Sequence, residues 1–137
     1  MKFKKSASDL VAAAEKEVET LTVEDAIARH AGGDKGTVFV DLRDIRELWR
    51  DGKVLGAFHS PRGMLEFWVD PDSQYHRDIF SSGKTFVFYC RGGQRSALAA
   101  KAVRDMGLEP VAHIGGGYTA WTDAGGPTEE VKPKTQK

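Results

Sequence analysis

The sequence predicts an α/β fold, with a mostly parallel central sheet of four to five strands and helices on both faces. Two observations support this prediction. Short apolar runs of strand length alternate with helical segments, in the order helix, strand, helix, strand, helix, strand, helix, strand, helix. The runs at residues 37–40 and 85–89 are apolar throughout, which is typical of parallel strands buried on both faces.

The first half of the chain supplies three predicted helices and one strand. A leading helix covers residues 6–20, where apolar side chains repeat at helical spacing, and we expect it to pack at the edge of the domain. A second helix covers residues 22–30. The run at 37–40 is a strand that ends at Asp41, the position where open α/β sheets place their ligands. A short helix at 45–50 follows.

The second half continues the alternation. It comprises a weak strand, an apolar segment, a short helix, the central strand, a helix, a further strand and a last helix, at residues 54–59, 64–69, 72–80, 85–89, 96–106, 111–114 and 118–121. At 137 residues the chain is long enough for one domain with its own core. We divide it into a leading helix (1–20), a domain (21–126) and a polar, disordered tail (127–137).

Composition excludes several classes of function. Lys plus Arg and Asp plus Glu both count 20, so no net charge favours nucleic acid or an acidic membrane as a partner. A single cysteine excludes an intrachain disulfide, a CxxC redox pair and a cysteine-rich zinc site, and we expect no metal and no cofactor. A free thiol favours the cytoplasm. No apolar run has the length of a signal-peptide core or of a membrane span.

The only cysteine, Cys90, lies between the central strand and the next helix. The loop that follows it consists of Arg91, Gly92, Gly93, Gln94 and Arg95 and leads into Ser96. A helix N-terminus and nearby guanidinium groups are the conditions that favour a thiolate. Two adjacent glycines let successive backbone N–H groups point inward at an anion. A lone cysteine is more often buried and inert, but two arginines and two glycines in five residues make a poor core. We therefore predict a reactive Cys90 in an anion-binding loop.

This loop, residues 89–97, resembles the active-site loop of the rhodanese (thiosulfate sulfurtransferase) family. Three further stretches resemble other segments of that family in the right order. They are residues 40–43 with Glu47, like its Asp-x-Arg segment; 56–57 followed by 60–61, like its Gly-Ala pair before a proline turn; and 113–117 with Trp121, like its closing glycine-rich segment. The resemblance covers residues 21–124 and implies a single-domain, rhodanese-like fold.

The resemblance also implies a reaction. The Cys90 thiolate would attack the outer sulfur of thiosulfate or a similar small anionic donor, and the resulting persulfide would pass its sulfur to cyanide, to a thiol or to a sulfur-relay protein. The loop amides from Arg91 to Ser96 would hold the persulfide, and Arg91 and Arg95 would bind the donor. Asp41 either pairs with a loop arginine and fixes it or is a turn residue at the end of its strand.

Two alternatives stay open at this stage. Cysteine-dependent phosphatases use a Cys-x5-Arg loop, whereas Cys90 and Arg95 form the shorter Cys-x4-Arg, which suits a persulfide better than a phosphate. The other alternative is a rhodanese-like sulfur carrier or regulatory module with little activity on thiosulfate. Inactive members of the family typically lack the cysteine, which is present in this chain.

Overall fold

The structure is a computed structural model that describes residues 1–134, so the last three residues of the predicted tail lie outside it. The helices of the described residues are α1 (Ala7–Glu17), α2 (Val23–Ala31), α3 (Ile45–Asp51), α4 (Leu65–Val69), α5 (Gln94–Met106) and α6 (Gly117–Asp123). The strands are β1 (Glu19–Leu21), β2 (Thr37–Asp41), β3 (Lys53–Val54), β4 (Phe58–His59), β5 (Thr85–Tyr89), β6 (Val111–Ile114) and β7 (Thr128–Glu129). Single 3-10 turns occupy Arg62–Met64 and Asp78–Ser81.

Five parallel strands form the central sheet, in the order β1-β6-β5-β2-β4. The predicted fold class is therefore confirmed. Strand β5 lies in the middle, with Phe88 in register with Val40 on one side and His113 on the other. Because all strands run in the same direction, their carboxyl ends share one edge of the sheet. Cys90 follows β5 directly at this edge.

Helices cover both faces of the sheet. On one face, Val18 at the end of α1, Leu65 of α4 and Val103 of α5 are buried in one cluster with the phenylalanines of β5. On the other face, α2 and α6 bury Ala26 and Trp121. Burial on both faces explains why β2 and β5 are apolar without alternation.

The leading helix is shorter than the sequence predicts, because residues 19–21 form the edge strand β1. Val18 turns extended (φ −117°, ψ 153°) and ends α1. Strand β1 is stabilised by pairing with β6, more than 90 residues further along the chain. Local apolar spacing carries no information about such a partner, so the helical periodicity extends through residues that pair as a strand.

Three other segments also differ from the prediction. The weak strand expected over 54–59 is divided into β3 and β4, which belong to different sheets. Thr128 and Glu129, assigned to the disordered tail, pair antiparallel with β3, and the Glu129 Oε2 accepts the N–H of Gly56 at 2.6 Å. The helix expected over 72–80 is reduced to the 3-10 turn Asp78–Ser81. Within residues 1–134, no helix combines the length and the apolar character needed to cross a membrane.

Candidate active site

Cys90 is buried at the carboxyl end of β5, with 1% of its surface exposed. Its Sγ accepts the N–H of Gly93 at 3.2 Å and lies 3.7 Å from the Oγ of Ser96. Gly93 is the N-cap of α5 and has φ +103°, in the left-handed region that favours glycine. The turn at Gly93 thus brings the sulfur against the first turn of α5, whose leading N–H groups have no acceptor within the helix.

Helix α6 holds the cysteine loop from the other side. The N–H of Tyr118 donates to the Cys90 carbonyl at 2.8 Å, and the N–H of Thr119 donates to the Arg91 carbonyl at 3.1 Å. Gly117 has φ +59°, and a Cβ there would lie 2.5 Å from the Cys90 carbonyl oxygen. Only glycine allows this close approach, so the glycine-rich segment before α6 is what lets the helix dock onto the loop.

Arg95 is fixed by Glu47 of α3. Its two terminal nitrogens donate to the Glu47 carboxylate at 2.9 and 3.1 Å. This bidentate pair holds the pKa of Glu47 below its ordinary value and the pKa of Arg95 above its own. The hypothesis that Asp41 pairs with a loop arginine is therefore wrong, because the loop arginine with a close carboxylate partner is Arg95 and that partner is Glu47.

Asp41 instead organises a buried polar cluster at the end of β2. It is fully buried, pairs with Arg43 at 2.7 Å and accepts the Tyr89 hydroxyl at 2.6 Å. Arg43 also donates to the Gly52 carbonyl at 2.7 Å and lies 4.2 Å from the centre of the Tyr118 ring. Burial, with Asp41 alongside, raises the pKa of Tyr89 above its ordinary value. Asp41 therefore supports the floor of the site without contacting Cys90.

Arg91 is the more exposed of the two loop cations. It is 60% exposed, and its nearest carboxylate is that of Asp51 at 3.7 Å. It is one of the residues that line a cleft of about 380 Å³, which are Cys90, Arg91, Gly92, Gln94, Arg95 and Thr119. A second cavity of about 340 Å³ shares Arg91 and Thr119 with this cleft. The cleft thus brings guanidinium groups, the loop and the thiol to one cavity.

His113 is a residue of the site that the sequence alone does not identify as one. It is fully buried, and its Nδ1 lies 3.0 Å from the Ser96 Oγ while its Nε2 lies 2.9 Å from the Thr20 Oγ1. Burial lowers the pKa of His113, and the carboxylate of Glu15 opposes this effect. One signal in the sequence could have found it, because His113 lies near the carboxyl end of the strand that precedes the glycine-rich turn.

The donor groups around the sulfur are backbone N–H, guanidinium and hydroxyl, which bind anions rather than cations. Among residues 1–134, no group of three or more His, Cys, Asp or Glu side chains is arranged to hold a metal ion. Fold and site together describe an α/β protein with a buried cysteine at the base of a loop rich in anion-binding groups.

The comparison with protein families shows which family this α/β protein belongs to. Residues 22–124 match the family described as Rhodanese-like domain. This match spans most of the chain and all of the site, so the protein belongs to the rhodanese-like domain family.

Two relatives illustrate the range of the family. The "Putative sulfurtransferase YtwF" of Bacillus subtilis is 27% identical over 119 residues, covering 87% of this chain and 96% of that protein. An uncharacterised protein of Synechocystis is 32% identical over 95 residues, or 69% of this chain. The match covers only 48% of the Synechocystis protein, so the chain spans about half the length of that relative.

Solved structures agree with the fold. A Rhodopseudomonas palustris protein, described as of unknown function and "Possible Tyrosine Phosphatase", is 55% identical with a TM-score of 0.92, covering 94% of this chain and 98% of that one. The polysulfide-sulfur transferase of Wolinella succinogenes is 26% identical with a TM-score of 0.66, covering 88% and 85%. Family and relatives together support an enzyme of the sulfurtransferase kind.

Proposed function

We propose that this protein transfers a sulfane sulfur from thiosulfate or a related small anion to a thiophilic acceptor through a persulfide on Cys90. The contact that carries the proposal is the one between the Cys90 Sγ and the N–H of Gly93, at 3.2 Å. It holds the sulfur at the base of a loop that offers backbone N–H groups to a negative charge. The exposed guanidinium of Arg91 beside this loop supports the proposal that the donor is an anion.

The reaction proceeds in two displacements. The Cys90 thiolate attacks the outer sulfur of thiosulfate, the S–S bond of thiosulfate breaks, and sulfite leaves with the electron pair. The Cys90 persulfide retains one negative charge, which the loop amides stabilise. A nucleophilic acceptor such as cyanide or a thiolate then attacks the outer persulfide sulfur, and Cys90 departs as the thiolate that started the cycle.

A cysteine phosphatase is the second candidate, because the Rhodopseudomonas palustris relative is described as a possible tyrosine phosphatase. The geometry favours sulfur chemistry. Four residues separate Cys90 from Arg95, and both terminal nitrogens of Arg95 are engaged by Glu47. An arginine whose terminal nitrogens already bond to a carboxylate has fewer donors left to hold a tetrahedral phosphate with two parallel hydrogen bonds.

A sulfur carrier that receives persulfide from a partner protein uses the same residues and the same intermediate, but reacts slowly with thiosulfate. We therefore propose the donor and acceptor as chemical classes: a small anionic sulfane donor, and a thiol, cyanide or relay-protein acceptor. We also propose a cytoplasmic location, because thiols stay reduced there and the one cysteine is free.

Steady-state assays separate these functions. We expect the purified protein to form thiocyanate from thiosulfate and cyanide, and Cys90→Ser to lose this activity while remaining folded, since the serine hydroxyl is a weak nucleophile. Hydrolysis of an aryl phosphate by the wild type but not by Cys90→Ser, without thiocyanate formation, would favour the phosphatase. Full activity of Cys90→Ser would show that another group is the nucleophile.

A further inference from the structure

A continuous line of polar atoms leads away from the Cys90 sulfur through the side chain of Ser96. The Ser96 Oγ lies 3.7 Å from the Sγ, the His113 Nδ1 lies 3.0 Å from that Oγ, and the Thr20 Oγ1 lies 2.9 Å from the His113 Nε2. We call these four residues, Cys90, Ser96, His113 and Thr20, the histidine relay. Thr20 and Glu15 are exposed, so the line runs from a buried thiol to solvent.

Each residue of the histidine relay has a fixed position in the secondary structure. Ser96 is in the first turn of α5, and His113 is on β6, the neighbour of β5 in the sheet. Thr20 is the register partner of His113 on the edge strand β1. Ser96 and His113 are both fully buried. Burying an imidazole and a hydroxyl is costly unless they bond to each other, and packing alone would be served by apolar side chains.

Building on the proposed function, we propose that His113 accepts the proton of the Cys90 thiol through Ser96, and so prepares the nucleophile for sulfur transfer. The S–H proton passes to the Ser96 Oγ as the Ser96 O–H proton passes to the Nδ1. The Nε2 proton of the imidazole then leaves to solvent beside Thr20. Cys90 is left as a thiolate, and His113 is left neutral with its proton on Nδ1.

In this state the hydrogen bonds reverse along the relay. The Nδ1–H donates to the Ser96 Oγ, and the Ser96 O–H donates to the thiolate, adding a second donor to the N–H of Gly93. The later attack of an acceptor on the persulfide returns Cys90 as a thiolate, so the relay does not have to be reset between turnovers. His113 acts only through Ser96 and is a positioning residue, not a catalytic one.

The charges that face the relay are compatible with this role. On the His113 side the facing carboxylate is Glu15 of α1, whose Oε2 lies 3.9 Å from the Nε2 and stabilises the imidazolium that forms when the ring accepts a proton. On the Cys90 side the loop cations are Arg91 and Arg95. Burial keeps the pKa of His113 low, so the imidazole is neutral and able to accept near pH 7. The Ser96 Oγ also lies 3.3 Å from the Gly93 carbonyl, a longer contact than that to His113.

The test is the rate at which iodoacetamide alkylates Cys90 between about pH 5 and about pH 9, compared for the wild type and His113→Gln. Gln fills similar space and can bond to Ser96, but it does not titrate. We expect alkylation of His113→Gln to be about tenfold slower near pH 7, with its pH profile displaced to higher pH, because the Gln oxygen accepts the Ser96 O–H bond without taking its proton and so keeps that hydroxyl from donating to the thiolate. The matched control is His30→Gln, which removes an imidazole bonded to the Leu55 carbonyl and packed on Trp121; its profile should be that of the wild type.

Ser96→Ala and the double variant complete the experiment. Ser96→Ala should show the same displaced profile, and Ser96→Ala/His113→Gln should be no slower than either single variant, because both substitutions interrupt one relay. An unchanged profile in folded His113→Gln overturns the proposal. If His113→Gln does not fold, an unchanged profile in Ser96→Ala overturns it, and so do effects that multiply in the double variant. Alkylation uses no sulfur donor, so it reports on the relay whether or not the protein forms a persulfide.

Discussion

Glu47 connects two parts of the molecule through a single carboxylate. At the third position of α3 it accepts the N–H of Asp44 and completes a capping box. The same carboxylate takes both terminal nitrogens of Arg95 from the cysteine loop. The direction in which Arg95 points is therefore set by the start of a different helix.

We predict that Glu47→Gln lowers kcat/KM for thiosulfate about tenfold, or about 1.4 kcal/mol, because Arg95 is released from its fixed position. Gln still serves in the capping box, and the Arg95 side chain is 41% exposed, so the ion pair contributes only about 1 kcal/mol to stability. The matched control is Glu66→Gln, which breaks the Arg62–Glu66 pair, itself 2.8 Å long. Equal activity of the two variants would mean that Arg95 does not need its partner.

At the residue scale, the sequence was informative where neighbouring residues carry the chemistry. Cys90, the glycines and the arginines lie within six consecutive positions, so their composition alone predicts an anion-binding loop. The carboxylate that binds Arg95 is 48 residues earlier in the chain, and the imidazole that bonds to Ser96 is on strand β6. Only the fold brings such residues together, which is why the sequence leaves two roles open for Asp41 and does not identify Glu47 as the partner of Arg95.

At the scale of elements, the docking of α6 onto the loop depends on the backbone at Gly117. Two N–H groups of the first turn of α6 bond to the carbonyls of Cys90 and Arg91. A side chain at Gly117 would collide with both carbonyls and would also have to adopt φ +59°. Helix α6 thus determines the shape of the loop although none of its side chains takes part in the proposed reaction.

We predict that Gly117→Ala destabilises the protein by more than about 2 kcal/mol and abolishes most sulfur transfer, because it combines backbone strain with a collision. Gly125→Ala is the matched control, since Gly125 has φ +79° but open space where its Cβ would lie. It should cost only the strain, about 1–2 kcal/mol, and leave activity in place. Urea unfolding and the thiocyanate assay measure both effects; similar losses in the two variants would contradict the role of the docking contact.

Elements defined by local signals were predicted well, and those defined by distant partners were not. The apolar runs of β2, β5 and β6 and the helix after Cys90 all occur where their patterns indicate. Strand β1 and the β3–β7 pair escaped prediction, because each consists of two or three residues stabilised by segments far along the chain. Short strands of this kind have no periodicity to detect.

For the molecule as a whole, buried titratable groups make stability depend on pH. The unfolded chain protonates His113 near its ordinary value of 6.5, whereas burial lowers the pKa in the folded protein. The unfolded state therefore binds more protons as the pH falls below 6.5, and the free energy of unfolding decreases. Glu47, with an ordinary value of 4.5 and a lowered folded pKa, adds a second decrease below that pH.

We predict that the wild type loses stability in two stages on acidification, the first beginning near pH 6.5 and the second near pH 4.5. His113→Gln should lack the first stage and retain the second, because only one of the two groups is removed. Urea unfolding at a series of pH values measures the difference. Parallel stability curves for the two proteins would show that His113 is not held neutral by the fold.

The central claim is that Cys90 carries the sulfur as a persulfide, and intact mass under non-reducing conditions tests it most directly. The protein is incubated in parallel with thiosulfate, a polysulfide and glutathione persulfide, and then freed of donor. We predict a gain of ~32 Da, one sulfur atom, that is located on Cys90, is absent from Cys90→Ser and disappears on addition of cyanide. A gain with glutathione persulfide but not with thiosulfate would identify a carrier. No gain from any of the three donors would contradict the sulfurtransferase account.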